Sequence, residues 1–260
     1  MPDTLLTPGS PDLRIADGVA TITLNRPAQR NRLENKDLEA LLTHFETVNQ
    51  NSSVRVLILT ANTEGQPKPV FCSGYDIGGF NEAETIPFEK VPDALANVRP
   101  VTVCALNGSV YGGATDLVLA CDLRLGLKGI EWRMPATALG LHYYPSGLQR
   151  YIHRFGISAT KRAFLTARPF TWQDLEKLGV FEEFLTADEW SDKLETLSKD
   201  ILGLAPLAVQ ETKKSLNEMA NGQIDLEVVS ERQHLTSQSA DFLEGRSAFM
   251  ERRKPVFKGH

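Results

Sequence analysis

The chain has 260 residues, 42% of them hydrophobic and 23% charged, which is ordinary for a globular protein and excludes a disordered or collagen-like chain. The longest uninterrupted apolar run covers residues 117–121, far shorter than the ~20 residues of a transmembrane helix, and no signal-peptide pattern is found. A net charge of −5 disfavours a nucleic-acid partner, because nucleic-acid binders usually carry a basic surface.

The cysteines and histidines show no metal-binding pattern. The three cysteines contain no Cys-x-x-Cys pair, and the five histidines have no second ligand at the usual spacing. We therefore expect reduced thiols, no metal site and a cytoplasmic protein without membrane attachment.

The first half of the chain alternates predicted strands and helices. Residues 1–12, rich in proline, glycine and serine, predict a flexible leader. Strands are predicted at 13–16, 19–24, 54–60, 70–72, 101–106 and 122–127, and helices at 35–50 and 114–120. The acidic stretch 78–98 predicts a mobile loop with helical pieces. This alternation indicates βαβ units with buried strands.

The second half is predicted to be almost entirely helical after Pro145. Thr171-x-x-Asp174 and Thr186-x-x-Glu189 resemble capping boxes, and further helices are predicted near 206–219 and 225–237. Because no linker separates the halves, we expect one continuous α/β unit with a C-terminal helical layer.

Two glycine-rich junctions are candidates for chemistry. Residues 70–77 and 101–113 each run from a strand through a glycine turn towards a helix. Helix N-termini expose unpaired N–H groups, and glycine lets a ligand approach the backbone. Two such ends could aim two N–H groups at one oxygen, as an oxyanion hole does, although most glycines at such turns only form the turn.

Motifs along nearly the whole chain resemble those of the crotonase (enoyl-CoA hydratase/isomerase) superfamily. Leu-Asn-Arg-Pro at 24–27 is similar to the family's LNRP opening, and residues 70–77 are similar to its aFcaGaDi segment. The other similar segments are 99–101 with 107–114 (kPviaavnG-a-GgG), 120–122 (-CD) and 244–255 (EG--AF-ekRkP).

The resemblance implies an α/β fold with a ClpP/crotonase ββα-spiral core over residues 13–200. It also implies that a C-terminal helical region, 201–260, builds a homotrimer or a dimer of trimers. The implied activity is that of a fatty-acid metabolism enzyme acting on an acyl-CoA thioester, with CoA as part of the substrate and no other cofactor. The backbone N–H groups of Tyr75 and Gly113 would hold the thioester oxygen as it becomes an enolate.

The carboxylates depart from the family's hydratases, which resemble one another in using two glutamates around the attacking water. The first matches Asp116 and the second falls on Ala136. Because hydration needs two positioned acid/base groups, we expect Asp116 to act alone, as acid, base or orienting group, and hydration to be inefficient. Asp116 could also merely stabilise the helix dipole.

A narrower resemblance links the chain to the methylmalonyl-CoA decarboxylase branch. Residues 108–114 (GSVYGGA) are similar to its GSVWGGA, and residues 253–260 resemble its ending. Carried over, Tyr143 would be the active-site tyrosine, and Tyr75 stands in place of a histidine. His142 is a second candidate proton donor, although the pair could equally bridge core and surface. The expected reaction is a decarboxylation or isomerisation (lyase or isomerase type) through an enolate, which needs no activated water.

The resemblance also suggests where CoA binds. The candidates from the family's CoA-binding segments are Arg26, Arg30, Ser73 and Asp76, and from a neighbouring subunit Phe249 and Lys254. The arginines could instead form a solvated surface patch, and Phe249 could be helix core.

Two alternatives remain open. One is a crotonase-fold carbon–carbon hydrolase of the β-diketone type that needs no CoA, in which His142, Tyr143 and Asp116 manage water. The other is a non-catalytic acyl-CoA binder that kept the oxyanion hole. No Gly-x-Ser-x-Gly, Gly-x-Gly-x-x-Gly or Gly-Lys-Ser/Thr motif supports a serine hydrolase or a nucleotide site.

Overall fold

The computed structural model describes residues 8–76, 78 and 86–260. The strands are β1 Asp12–Ala16, β2 Val19–Leu24, β3 Val56–Ala61, β4 Val70–Cys72, β5 Val101–Leu106, β6 Ser109–Tyr111, β7 Leu123–Leu127, β8 Glu131–Arg133, β9 Phe170–Thr171 and β10 Glu183–Leu185. The helices are α1 Asn35–Gln50, α2 Lys90–Ala96, α3 Ala114–Ala120, α4 Pro145–Thr166, α5 Trp172–Leu178, α6 Trp190–Leu202, α7 Pro206–Ala220, α8 Leu226–Ser237 and α9 Ala240–Glu251. Within these residues, no helix is both long and apolar enough to cross a membrane.

Two sheets form the α/β core. The larger has the order β1-β2-β3-β5-β7-β10, in which only the β1–β2 hairpin is antiparallel. The smaller has the order β4-β6-β8-β9, parallel except at β9. In each of the successive pairs β3/β4, β5/β6 and β7/β8, the first strand lies in the larger sheet and the second in the smaller sheet. This repeated alternation, with helices between the pairs, builds the predicted ββα spiral.

The buried strands explain the apolar runs of the sequence. Nearly every side chain of β3 and β5 is buried, because both lie in the middle of the larger sheet. Strand β2 instead alternates half-buried and buried residues, as expected of a strand next to the edge. The main core also contains large aromatic side chains from the second half of the chain, including Trp132, Tyr151 and Phe170.

The C-terminal layer is anchored to the core by buried polar contacts. Lys213 on α7 pairs with Asp122 at 2.7 Å and donates to the Pro100 carbonyl at 2.7 Å. Arg55 donates to the carbonyls of Leu202 and Phe257, at 2.9 and 3.0 Å. Ile201 of α6 packs in a second apolar cluster against Val56 and Ile58 of β3 and against β5 of the larger sheet. These contacts hold the C-terminal layer against the spiral core.

The predicted elements agree with the structure in most of the chain, with two kinds of difference. Strands β8, β9 and β10 were not predicted, because two or three residues are too few to show alternation. Thr171 and Asp174 form the predicted capping box. Thr186 instead donates its N–H and O–H to Glu189 ahead of α6, which begins only at Trp190.

Two predicted flexible segments are partly described. The described part of the leader is anchored: Gly9 N–H donates to the Asn25 carbonyl at 2.7 Å, and the Pro11 carbonyl contacts His44 at 2.9 Å. In the predicted loop 78–98, residues 90–96 form α2, whereas residues 79–85 lie outside the described part of the chain, as do residue 77 and residues 1–7.

Candidate functional site

The two glycine-rich junctions predicted from the sequence meet in the structure. Strand β4 pairs with β6, and Gly74 and Gly112 follow directly on them with φ of +104° and +58°. A Cβ atom on Gly74 would lie 3.1 Å from the Tyr111 carbonyl oxygen, so only glycine fits this approach. Tyr75 and Gly113, the two candidate oxyanion-hole residues, therefore occupy adjoining turns.

Each of these candidate donors is placed by its own local structure. Tyr75 forms a bridge with Leu33, in which the neighbouring Asp76 N–H donates to the Leu33 carbonyl at 2.9 Å. Gly113 is the N-cap of α3, where the N–H group has no acceptor within the helix. Both candidate residues thus lie in the turns that follow β4 and β6 of the smaller sheet.

Asp116, on the first turn of α3, is fully buried, and both its oxygens are engaged. Arg150 Nε donates to Oδ1 at 2.8 Å and Arg150 Nη2 to Oδ2 at 2.6 Å. The Tyr144 hydroxyl donates to Oδ2 at 2.6 Å. This bidentate ion pair holds Asp116 as a hydrogen-bond acceptor with a fixed orientation.

Arg150 is itself held from two sides. Its Nη1 donates to Asp93 on α2 at 2.7 Å, so the guanidinium joins α2, α3 and α4. Burial alone lowers the pKa of Arg150, but hydrogen bonds and charges from Asp116 and Asp93 outweigh it and raise the pKa above its usual value. Arg150 therefore remains charged.

Tyr143 and Tyr144 stack at the start of α4, with ring centroids 4.2 Å apart and hydroxyl oxygens 3.0 Å apart. A Cβ at Gly147 would lie 2.3 Å from the Tyr143 ring and 2.7 Å from the Tyr144 ring, so this glycine makes room for the pair. Because Tyr144 gives its proton to Asp116, Tyr143 must donate to Tyr144. Burial, and then the charge of Asp116, raise the pKa of both phenols far above their usual value. Both therefore stay protonated at neutral pH.

The remaining predicted catalytic residues occupy different environments. The ring of Tyr75 packs 5.5 Å from Phe88, and its hydroxyl bonds to Asn35. His142 is exposed on the loop before the stacked tyrosines. Ala136 is buried at the start of a short 3-10 turn, Ala136–Leu139. The geometry thus brings Tyr143 and Asp116 together through Tyr144, while His142 faces solvent.

The candidate CoA contacts are distributed over two regions. Arg26 is paired with Glu34 at 2.7 Å and with Asp37 at 2.9 Å, contacts that brace the start of α1. Arg30 is exposed next to it, and its carbonyl accepts the Ser73 N–H at 2.9 Å. Asp76 pairs with Arg32 at 3.2 Å. Arg30 is therefore the cation of this group that remains exposed beside the Ser73 turn.

Phe249 and Lys254 lie elsewhere, exposed at the end of α9 and just beyond it. Phe249 lines a cavity of about 630 Å³ between α7, α8 and α9 whose lining residues include none of the junction residues. Among the residues that the structure describes, no group of three or more histidine, cysteine or carboxylate side chains could hold a metal ion.

Four residues of the site were not predicted as site residues: Tyr144, Arg150, Asp93 and Phe88. Tyr144 stood beside a predicted residue, and its proximity to Tyr143 was visible in the sequence. Arg150 lies 34 positions from Asp116, and Asp93 lies 57 positions from Arg150, so no local spacing connects them.

Comparisons with known proteins agree with this architecture. Residues 14–260 match the sequence profile of the family described as enoyl-CoA hydratase/isomerase. The enoyl-CoA hydratase domain-containing protein 2, mitochondrial, of Bos taurus is 30% identical, covering 93% of this chain and 85% of the relative. The 2,3-dehydroadipyl-CoA hydratase of Escherichia coli (strain K12) is 28% identical, covering 93% and 95%.

Solved structures show the same fold. The crystal structure of enoyl-CoA hydratase from Bacillus anthracis superposes with a TM-score of 0.84 at 25% identity, covering 97% of this chain and all of that chain. This confirms the predicted crotonase-like architecture. By sequence profile and by fold, the chain belongs to the enoyl-CoA hydratase/isomerase family.

Proposed function

We propose that this protein is an enzyme that acts on an acyl-CoA thioester through an enolate, by decarboxylation or isomerisation rather than hydration. In this proposal the backbone N–H groups of Tyr75 and Gly113 bind the thioester oxygen. Donors already in place stabilise the negative charge that develops there, and losing one such donor typically costs about 3 kcal/mol of transition-state stabilisation.

The observation that carries the proposal is the state of Asp116. Both its oxygens accept hydrogen bonds from Arg150, and one also accepts from Tyr144. A general base must be able to take a proton from water, and a carboxylate held in a bidentate ion pair is poorly suited to that task. At Ala136, which we align with the second glutamate of the hydratases, there is no carboxylate. In this proposal the described residues of the site therefore offer no pair of free carboxylates for water addition.

The tyrosines suit a different step. In a decarboxylation, the bond between Cα and the carboxylate breaks, carbon dioxide leaves, and the electron pair forms the enolate. The enolate then takes one proton at Cα. Phenols whose pKa is raised by burial remain protonated and can orient or supply that proton, but they do not act as bases for water. We assign this role to Tyr143 with Tyr144. His142, exposed on the loop before them, is a weaker candidate.

The test is mass spectrometry of acyl-CoA thioesters incubated with the protein in heavy water. The panel contains methylmalonyl-CoA, malonyl-CoA, crotonyl-CoA and a 3-enoyl-CoA. We expect loss of carbon dioxide with gain of one deuterium, or conversion of the 3-enoyl isomer. Addition of water to crotonyl-CoA as the dominant reaction would overturn the proposal and agree with the hydratase name of the Escherichia coli relative.

Two aspartate variants separate catalysis from binding. Asp116→Asn removes the charge that orients Tyr144, and we expect turnover to fall while CoA-ester binding is nearly unchanged. Asp93→Asn serves as the matched control. It removes the other carboxylate that pairs with Arg150, and the Asp93 side chain is 41% exposed. Equal, small effects of both variants would favour the non-catalytic binder.

We also propose a trimeric or hexameric assembly built through residues 201–260, in a cytoplasmic protein. Large apolar side chains of α9 face outward: Phe249 is 83% exposed, Met250 81% and Leu243 61%. Such a surface favours a subunit interface, and it would bring Phe249 and Lys254 to a neighbouring CoA site. Light scattering should give three or six times the mass of one chain. A monomer at micromolar concentration would contradict this assembly.

A further inference from the structure

One buried aromatic ring touches both residues proposed to bind the thioester oxygen. Phe88 is only 8% exposed. Its ring packs 5.5 Å from the ring of Tyr75 and 6.4 Å from that of Tyr144. A Cβ built on Gly113 would meet the Phe88 ring at 2.8 Å, which places the ring edge directly against the Gly113 backbone. We call Tyr75, Phe88 and Tyr144 the aromatic wall.

The two ends of the aromatic wall are fixed by hydrogen bonds. The Tyr75 hydroxyl bonds to Asn35 on α1. The Tyr144 hydroxyl donates to Asp116, which Arg150 holds in turn. Phe88 lies between these two pinned rings, and the Gly113 backbone lies against its edge. The ring therefore cannot retreat without breaking contacts on three sides.

This position determines what kind of acyl group can bind. If the thioester oxygen lies at the N–H groups of Tyr75 and Gly113, the carbon chain begins within reach of the Phe88 ring. A long chain would have to displace that ring and lose its aromatic contacts and buried area. A short acyl group could pack against the ring without moving it.

We propose that the aromatic wall restricts this enzyme to short acyl groups, such as propionyl and butyryl thioesters, and that Phe88 is the residue that sets the limit. This specificity rests on the proposed function, because it requires the thioester to bind at Tyr75 and Gly113. The wall also excludes water and bulky groups from the enolate carbon.

The experiment measures binding separately from turnover. Isothermal titration calorimetry uses unreactive analogues in which the thioester is replaced by a methylene ketone, with propionyl, butyryl and octanoyl chains. We expect the wild-type protein to bind the octanoyl analogue at least about tenfold more weakly than the butyryl analogue, the scale on which pockets discriminate apolar groups. Phe88→Ala should remove this difference in affinity, and Phe88→Trp should weaken the binding of the butyryl analogue as well.

Phe164→Leu is the matched control. Phe164 is a similarly buried ring that packs on Tyr143 and Tyr151, at centroid distances of 5.3 and 4.9 Å. It is not part of the aromatic wall, so its replacement should leave the chain-length preference unchanged. Thermal unfolding of each variant checks that it is folded. Because the alanine and tryptophan variants are expected to change analogue binding in opposite directions, the test still holds if one of them fails to fold.

The outcomes distinguish the two proposals. Preference for short analogues without turnover of any thioester would support the wall and overturn the proposed reaction. Two results would overturn the proposed role of the aromatic wall but not the proposed reaction. One is turnover with equal binding of all chain lengths, and the other is a chain-length preference that Phe88→Ala leaves unchanged. Failure to bind any analogue or CoA itself would overturn both.

Discussion

At the scale of single residues, the buried charge of Asp116 explains how its neighbours are arranged. An isolated carboxylate is very costly to bury, so a fully buried aspartate needs charged and hydrogen-bonding partners. Arg150 supplies two parallel hydrogen bonds and Tyr144 a third, which leaves the carboxylate few ways to engage water. In the proposed function, the contacts that stabilise Asp116 therefore limit it to a positioning role.

Replacing Arg150 should show how much of the fold depends on this pair. Arg150→Met leaves the Asp116 carboxylate buried without its counter-charge, and we expect the free energy of unfolding to fall by about 3–5 kcal/mol. Asp93→Asn removes only the partly exposed partner of Arg150, and a loss below about 1 kcal/mol is expected. Urea unfolding followed by circular dichroism measures both. Similar losses for the two variants would show that Asp116 does not need Arg150.

The sequence alone led to the carboxylate but not to its partner. Asp116, Gly113 and Tyr75 were identified because the motifs around them resemble those of the crotonase superfamily. Arg150 lies 34 positions from Asp116 and reaches it only through the fold, and no local pattern marked Phe88, although it lies soon after Tyr75 in the chain. Which of several arginines pairs with a given aspartate is decided by packing between α2, α3 and α4, and no local pattern contains that information.

At the scale of elements, the apolar pattern of the sequence did not predict that successive strands alternate between two sheets. Apolar runs identified β3 and β5 because central parallel strands are buried on both faces. They did not show that β4 and β6 belong to a second sheet. That sheet matters for function, because the turns after β4 and β6 place Gly74 and Gly112 in contact.

A buried carboxylate on α9 holds the last residues of the C-terminal tail. Asp241, only 3% exposed, accepts the N–H groups of Lys258 at 2.6 Å and Gly259 at 2.8 Å. We expect Asp241→Ala to loosen the end of the tail, because two amide donors lose their acceptor, at a cost of about 1–3 kcal/mol. Hydrogen exchange followed by mass spectrometry should then show loss of protection at the Lys258 and Gly259 amides.

Asp225→Ala provides the control for the tail. Asp225 is an exposed N-cap that accepts from the N–H groups of Glu227 and Val228, so its loss weakens the start of α8 only. Protection of residues 255–260 should be unchanged in this variant. An unprotected tail in the wild-type protein would contradict the proposed role of Asp241.

For the molecule as a whole, the buried thiols make stability depend on pH in the alkaline range. Burial raises the pKa of Cys72 from 9.0 to about 12, and burial also raises the pKa of Cys104 well above that ordinary value. Above pH 9 the unfolded chain releases these protons while the folded chain keeps them. The contribution of each thiol is therefore complete below pH 9 and is lost as the pH rises towards the folded pKa.

We expect the free energy of unfolding to fall between pH 9 and pH 10 by about 1 kcal/mol for each such thiol. Urea unfolding at pH 8, 9, 9.5 and 10 measures this slope, with a reducing agent present throughout. Cys72→Ala is the informative variant, because it removes one of the two groups and should lower the slope by about one proton while Cys104 is retained. A slope that is the same in both proteins, or stability that is constant from pH 8 to pH 10, would show that the Cys72 thiol ionises as easily inside the fold as outside it. The burial of Cys72 beside the Asn31 carbonyl would then be less complete than the structure indicates.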